Sequence, residues 1–177
     1  MRKLLTLLGA SALFVPDATV LAQAEVYDAS CQPVKAAMVA MVKTNRYRGT
    51  GTMTSKGKAY PTEEIYVGDT LYNGYASQWS RTAVTPQDRI DAGQGLGLTT
   101  YGCRTVGHES VNGEAAIVYE AHTDVKQPKI HTDSKIWIST SSGLPLRFDS
   151  DTGDGTSKMH GSKLYTYGAG VRAPAGA

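Results

Sequence analysis

Short turns between strand-like segments are the feature of this sequence that most constrains its fold. After Asn45, most segments are runs of strand-forming residues that end at turn signals such as Gly68-Asp69 or Asn112-Gly113. A two-residue connection joins antiparallel neighbours, because parallel strands need a long crossover. Helices and strands do not alternate along the chain, which argues against a parallel α/β fold. The sequence therefore predicts an antiparallel meander of about eight strands.

One segment before these strands has a helical period. Between Ser30, a good helix cap, and Asn45, a plausible stop, apolar residues recur at helical spacing. This stripe consists of Val34, Ala37, Met38, Met41 and Val42. We therefore expect one long N-terminal helix that packs its methionine-containing stripe against the sheet.

Glycine placement favours a strongly curved sheet. Gly49 and Gly51 lie on the same face of the first strand as Tyr47 and Met53, because side chains alternate along a strand. Two glycines on one face let another element approach the backbone, or let the sheet bend sharply. Merely weak strands are the alternative.

The N-terminus has the pattern of a signal peptide. Arg2 and Lys3 precede an apolar run, and the small residues Ala22 and Ala24 suit a cleavage site, so residues 1–24 are expected to be removed. The apolar run is shorter than the roughly 20 residues that span a bilayer. The chain is therefore expected to be exported rather than integral to a membrane. A periplasmic location is predicted, with secretion beyond the envelope as the alternative.

The remaining chain suits a single domain. We predict one domain over residues 25–168 and a frayed C-terminal tail over 169–177. The full chain has 18 basic and 16 acidic residues, a balance that provides no basic stripe for nucleic acid. Nucleic-acid binding is therefore not expected.

Two cysteines, Cys31 and Cys103, occur in this exported chain. An oxidising compartment favours one disulfide between them, with two buried free thiols as the alternative. Such a bond would close a long loop and contribute up to about 4 kcal/mol to the free energy of unfolding.

The tripeptide HTD occurs twice in AHTDVKQPKIHTDSK. An antiparallel hairpin across the KQPK loop places His122 opposite Asp133 and Asp124 opposite His131, all on one face. Exposed cross-strand pairs that stabilise the register are the favoured interpretation, and a divalent-metal site is the alternative. We expect no cofactor and no dedicated metal site. The opposite, core-facing side carries Ile117, Tyr119, Ala121, Ile136 and Ile138.

The segment YGCRTVGHESVNGEAAIVYEAH followed by KIWISTSSGLPLRFD resembles the central hairpins of the periplasmic lipoprotein-carrier (LolA/LolB-like) superfamily. The closest parts are Trp137-Ile138-Ser139 and the run 143–147, and the resemblance spans 30–167. It implies an α+β fold: an unclosed antiparallel half-barrel, strongly curved, with the N-terminal helix against its concave face. It also implies that this face holds acyl chains or other hydrophobic ligands. The chain is shorter than the dedicated lipoprotein chaperone and has less covering helix.

The predicted function is therefore a non-enzymatic, periplasmic carrier or sensor of a hydrophobic molecule. The chain has no G-x-S-x-G, H-E-x-x-H or phosphate-loop motif. The predicted cavity lining is Met38, Met41, Met53, Ile65, Val67, Tyr119, Ile136 and Ile138.

Two alternatives remain open at this stage. One is a cell-envelope interaction module with a filled core and exposed tyrosines, among them Tyr72, Tyr75, Tyr165 and Tyr167. The other is a metal-dependent enzyme that uses the His and Asp residues of the two HTD tripeptides.

Overall fold

The computed structural model describes residues 26–75, 78–89, 98–126, 128–154 and 157–175. The predicted signal peptide lies outside these residues. The elements in chain order are β1 (Val26–Tyr27), α1 (Gln32–Lys43), β2 (Arg46–Ser55), β3 (Lys58–Val67), β4 (Thr70–Tyr75), β5 (Gln78–Ala83), β6 (Leu98–Val111), β7 (Glu114–Val125), β8 (Ile130–Ser139), β9 (Pro145–Gly153) and β10 (Lys158–Tyr167). A 3-10 turn, Ala29–Cys31, precedes α1, and residues 86–89 form a helical turn.

The strands form one unclosed sheet in the order β1-β6-β7-β8-β9-β10-β2-β3-β4-β5. All neighbours are antiparallel except β1, which pairs with β6 in parallel. The predicted single meander of about eight strands is wrong in two respects. Ten strands are present in the described chain, and two meanders, β2–β5 and β6–β10, meet where β10 pairs with β2. Strand β1 has only two residues and gives no sequence pattern, and QWSRTA, which forms β5, lacks an apolar alternation, so neither strand was predicted.

Helix α1 has 12 residues, so the prediction of one long helix is also wrong. It spans about 18 Å at 1.5 Å per residue. The helix ends where Thr44 adopts an extended backbone and donates its hydroxyl to the carbonyl oxygen of Met41 at 2.7 Å. This extended residue directs the chain into β2 and prevents another helical turn. Within the described residues, no helix is long and apolar enough to cross a membrane.

The sheet has two chemically different faces. We call the face that contacts α1 the inner face, and it includes Ala121, Ile136 and Ile138, as the sequence predicted. We call the opposite face the outer face. It has its own small apolar cluster around Trp137, whose ring lies under the Arg147 guanidinium at 4.5 Å.

The glycines of β2 allow β10 to approach closely. A Cβ atom on Gly51 would lie 1.8 Å from the carbonyl oxygen of Ser162, and one on Gly49 would lie 2.7 Å from Cδ of Lys163. Larger side chains at these positions would separate β10 from β2. Of the two consequences considered for glycines on one face, a close approach of another strand is the one seen at Gly49 and Gly51.

A disulfide joins Cys31 to Cys103, as expected from the sequence. It fastens the turn before α1 to β6, next to Gly102, which has a φ of +64°. The Asp28 carboxylate accepts hydrogen bonds from the backbone N–H groups of Ser30 at 2.9 Å and Gly102 at 3.0 Å. Hydrogen bonds from Ser30 and then from Gly102 lower the pKa of Asp28. The first turn of α1 is therefore fixed to the sheet edge by covalent and polar contacts.

Part of the C-terminal tail packs on the protein. Val171 is buried, and its carbonyl oxygen accepts a hydrogen bond from Arg46 Nη1 at 3.3 Å. If the C-terminal tail frayed as far as Val171, the hydrogen bond between Arg46 and Val171 would break. The domain boundaries themselves stay predictions.

Loss of the disulfide is expected to lower the free energy of unfolding by up to about 4 kcal/mol, because the cross-link restricts the unfolded chain. Urea denaturation of the mature protein, with and without a reducing agent, measures this loss. The Cys31→Ser/Cys103→Ser double variant should match the reduced protein and show no further response to reductant. An unchanged midpoint on reduction would contradict the expectation.

Candidate functional site

The N-terminal half of α1 packs on the inner face near the disulfide. Val34 and Ala37 are each 2% exposed and contact Ala121, Ile136 and Ile138. Half-buried residues surround this cluster: Tyr27, Met38, Tyr119 and Phe148. The helical period of the sequence sets this contact, because 34, 37, 38 and 41 lie on one side of the helix.

The C-terminal half of α1 lies over a tyrosine cluster. Met41 packs on Tyr47 and Tyr66, both fully buried, whose rings are stacked with centroids 5.9 Å apart. A half-buried rim encloses this cluster: Met38, Leu71, Val84, Leu144, Tyr165 and Tyr167. Met38 contacts both clusters and therefore connects the two halves of the inner face.

A polar group lies within this aromatic surface. The Tyr47 hydroxyl donates to Glu64 Oε1, and Lys163 Nζ donates to Glu64 Oε2 at 3.0 Å. Arg89 Nη2 donates to the Tyr47 hydroxyl at 2.7 Å, and its guanidinium lies over the rings of Tyr47 and Tyr66 at 4.9 and 4.6 Å. Arg89 Nη1 is buried and has no hydrogen-bond partner in the described chain.

The polar group is charged despite its surroundings. Burial alone would raise the pKa of Glu64, but attraction to Lys163 and the hydrogen bond from Tyr47 outweigh it, so this pKa lies below its usual value. Burial, followed by repulsion from Glu64, raises the pKa of Tyr47, which remains neutral at neutral pH. The charges of Glu64 and Lys163 therefore neutralise each other. Arg89 Nη1 can still donate a hydrogen bond, because it has no acceptor in the described chain.

The structure brings together five of the eight residues predicted to line a cavity. Met38, Met41, Tyr119, Ile136 and Ile138 all belong to the two inner-face clusters.

The other three predicted residues lie elsewhere. Ile65 and Val67 alternate with Tyr66 along β3, so they are on the outer face. Met53 is on the inner-face side of β2, opposite Tyr60 and Gly161, but belongs to neither cluster. The cavity lining stays a prediction.

Sequence reasoning missed the tyrosine cluster and its polar group. Alternation along β2 placed Tyr47 with Gly49 and Gly51, and that pattern could have identified Tyr47 as an inner-face residue. Glu64 and Lys163 could not be paired from sequence, because the contact depends on β2 lying between β3 and β10.

The two HTD tripeptides form one polar group on the outer face. His122 pairs with Asp133 and Asp124 with His131 across β7 and β8, in the register the sequence predicts. The His122 Nδ1 to Asp133 Oδ1 distance is 2.6 Å, and the His131 Nδ1 to Asp124 Oδ1 distance is 2.7 Å. The side chains are 43–57% exposed. The prediction of exposed cross-strand pairs is confirmed.

Comparisons with known proteins give distant structural similarity only. No protein-family model matches the chain, and a search of curated proteins gave no match. Among solved structures, the chain is similar to the lipoprotein LppX of Mycobacterium tuberculosis, with 10% identity and a TM-score of 0.49 over 81% of this chain and 98% of that one. It is also similar to MucB in complex with MucA(peri), with 14% identity and a TM-score of 0.40 over 82% of this chain and 60% of MucB.

A DUF1329 family protein from Desulfovibrio piger is similar at 12% identity, with a TM-score of 0.26 over 79% of this chain and 93% of that one. All these TM-scores lie below 0.5.

The Glu64 interaction predicts a loss of stability in acid. Because folding lowers the Glu64 pKa, its stabilising contribution is present above the unfolded pKa of about 4.3 and is lost as pH falls through the folded value. The free energy of unfolding of the wild type and Glu64→Gln should therefore differ most near pH 7 and converge once the pH falls below the lowered Glu64 pKa. Urea titrations at several pH values measure the difference. In Lys163→Met this pH-dependent difference should shrink, because Lys163 no longer lowers the Glu64 pKa against the effect of burial, and a wild-type difference that is constant with pH would contradict this account.

Proposed function

We propose that the protein is an exported, non-enzymatic carrier or sensor that binds a hydrophobic ligand on the inner face, at the C-terminal half of α1. The observation that carries this proposal is the position of Met38, which is half-buried and contacts both apolar clusters. A ligand that replaces Met38 at this junction would reach the tyrosine cluster on one side and Tyr119 and Phe148 on the other. The proposed location is the periplasm.

The attachment of α1 supports entry at this end. The disulfide and the Asp28 hydrogen bonds hold its first turn to β6. After this first turn, Met38 and Met41 hold the later turns of α1 to the sheet through apolar contacts. Methionine side chains are flexible and polarisable, so they can repack around ligands of different shape. The C-terminal half of α1 is therefore the part that a ligand can displace at least cost.

The polar group indicates the kind of hydrophobic ligand. Arg89 Nη1 is buried beside the aromatic rim without a partner in the described chain. A guanidinium favours a carboxylate or phosphate, and burial strengthens the interaction. An acyl chain with an anionic head group would satisfy Arg89 and cover the rim with its apolar part.

A filled core supports a second candidate, an interaction module that binds a cell-envelope protein. Val34, Ala37 and Met41 are already buried against the inner face. At the far end of β3 and β4, on the same side of the sheet as Tyr66, the rings of Tyr60 and Tyr75 are stacked at 5.3 Å, and Tyr75 is 43% exposed. Exposed aromatic residues of this kind are typical of protein interfaces.

Native mass spectrometry of the untagged mature protein, purified from a periplasm and followed by lipid extraction, tests the proposal. We expect a stoichiometric acyl species. The substitution Met38→Lys should reduce its occupancy about tenfold or more, since a charged side chain at the cluster junction opposes apolar binding. Arg89→Met should selectively reduce binding of anionic species.

Leu164→Lys provides the matched control. Leu164 is 38% exposed and alternates with Tyr165, so it lies on the outer face. Its charged variant should keep the ligand. An apo mass for the wild type, or equal occupancy in Met38→Lys and Leu164→Lys with both folded, would reject the hydrophobic-ligand proposal and favour the interaction module.

A further inference from the structure

A row of histidine and aspartate side chains crosses four strands on the outer face. His122 on β7, Asp133 on β8, Asp151 on β9 and His160 on β10 are directly opposite one another in the register. His131 is two residues before Asp133 on the same face of β8. Three of the chain's four histidines are therefore concentrated in one place.

This row places like charges side by side. Asp133 and Asp151 are cross-strand partners, and two carboxylates in that position repel each other. The histidines partly offset the repulsion: His122 Nδ1 is 2.6 Å from Asp133 Oδ1, and His160 Nδ1 is 2.9 Å from Asp151 Oδ1. A bound cation would offset it more strongly.

His131 is already oriented as a metal ligand would be. Its Nδ1 is 2.7 Å from Asp124 Oδ1, and Asp124 Oδ2 accepts a hydrogen bond from the Tyr101 hydroxyl at 3.2 Å. A carboxylate on one ring nitrogen fixes the ring and leaves the other nitrogen to bind a metal. That other nitrogen, Nε2, contacts Asp133 Oδ1 at 3.0 Å, the same oxygen that lies 2.6 Å from His122 Nδ1, so a bound ion would take the place of these two contacts.

His122 completes a set of three donors. Its ring is nearly parallel to that of His131, with centroids 6.0 Å apart and an angle of 18° between planes. Gly102 makes room for it, because a Cβ atom there would lie 3.0 Å from His122 Cδ2. One donor atom each from His122, His131 and Asp133 lies within 4.8 Å of the others. Ligands of a tetrahedral zinc ion are about 3.4 Å apart, so small rotations of exposed side chains would close the site.

From these contacts we infer that His122, His131 and Asp133 bind a divalent transition-metal ion on the outer face of β7 and β8. The types of donor atom favour Zn²⁺. Two histidine nitrogens and a carboxylate suit zinc, and three protein ligands leave one position for water or for a group from another molecule. Asp124 is a positioning residue for His131. Two surface clefts of about 620 and 460 Å³ border Asp133 and give solvent ions access.

With these contacts, a metal site becomes the favoured interpretation of the two HTD tripeptides. Sequence alone favoured simple cross-strand pairs, because a dedicated metal site usually has supporting contacts around its ligands and a less exposed position. The Tyr101–Asp124–His131 series provides such support. The site is on the face opposite α1, so it does not depend on the proposed ligand-binding function.

Isothermal titration calorimetry with zinc chloride, on untagged mature protein stripped with a chelator, tests the site. We expect one Zn²⁺ per chain. His122→Asn and His131→Asn should each weaken binding at least tenfold, and Asp133→Asn provides a further variant of the same donor set. The control is His108→Asn, since His108 is exposed on β6 and pairs with Ile117, outside the cluster.

The positioning role of Asp124 needs a separate readout. Asp124→Asn should weaken zinc binding about tenfold, within the range for residues that orient metal ligands, and Asp124→Glu should restore part of it. With Co²⁺ as a probe, the visible absorption of a four-coordinate site should be intense in the wild type and weaker in Asp124→Asn. Circular dichroism without metal verifies that each variant is folded.

Three outcomes would overturn the site. These are the absence of zinc binding to the wild type, unchanged affinity in His122→Asn and His131→Asn, and loss of binding in His160→Asn with the two other histidine variants unaffected. The last result would place the ion at Asp151 instead.

Discussion

The pairing of β10 with β2 is the contact on which the rest of the architecture depends. Nine consecutive residue pairs join these strands and fuse two separate meanders into one sheet. The pairing is possible because Gly51 leaves space for the backbone of β10. It brings Lys163 to Glu64, and Tyr165 to Tyr47, from strands far apart in sequence. The Glu64–Lys163 pair and the Tyr47–Tyr165 contact therefore exist only because the two halves of the chain meet there.

Local features were predictable from sequence, whereas contacts between distant segments were not, apart from the disulfide that two cysteines in an exported chain favour. The β7–β8 register follows from a short loop and the two-residue period, so the His122–Asp133 pair could be placed correctly. The helix stripe follows from the 3.6-residue period. Ile65 was assigned to the wrong face because the apolar run Ile65-Tyr66-Val67 does not itself show which side faces the core. Neighbouring contacts decide that, and Met41 selects Tyr66.

Alternation along the same strands separates two kinds of chemistry. On β8, Ile136 and Ile138 face α1, while Asp133 and Lys135 face solvent on the other side. Trp137 is an apolar exception on the outer face, where its indole N–H donates to Glu109 at 2.7 Å and Arg147 covers its ring. A side chain substituted on one face therefore points away from the side chains of the other face. This independence is what makes single-face variants informative in this protein.

The unclosed sheet also has a consequence for the behaviour of the protein in concentrated solution. Strand β5 pairs only with β4 in the described chain, so the backbone groups on its other side have no strand partner. Such an edge can be extended by a strand from a second molecule, which produces self-association. Arg81 lies in this six-residue strand and opposes stacking of identical edges, because like charges would meet. Oligomerisation of this protein should therefore be more pronounced at high salt, where that charge is screened.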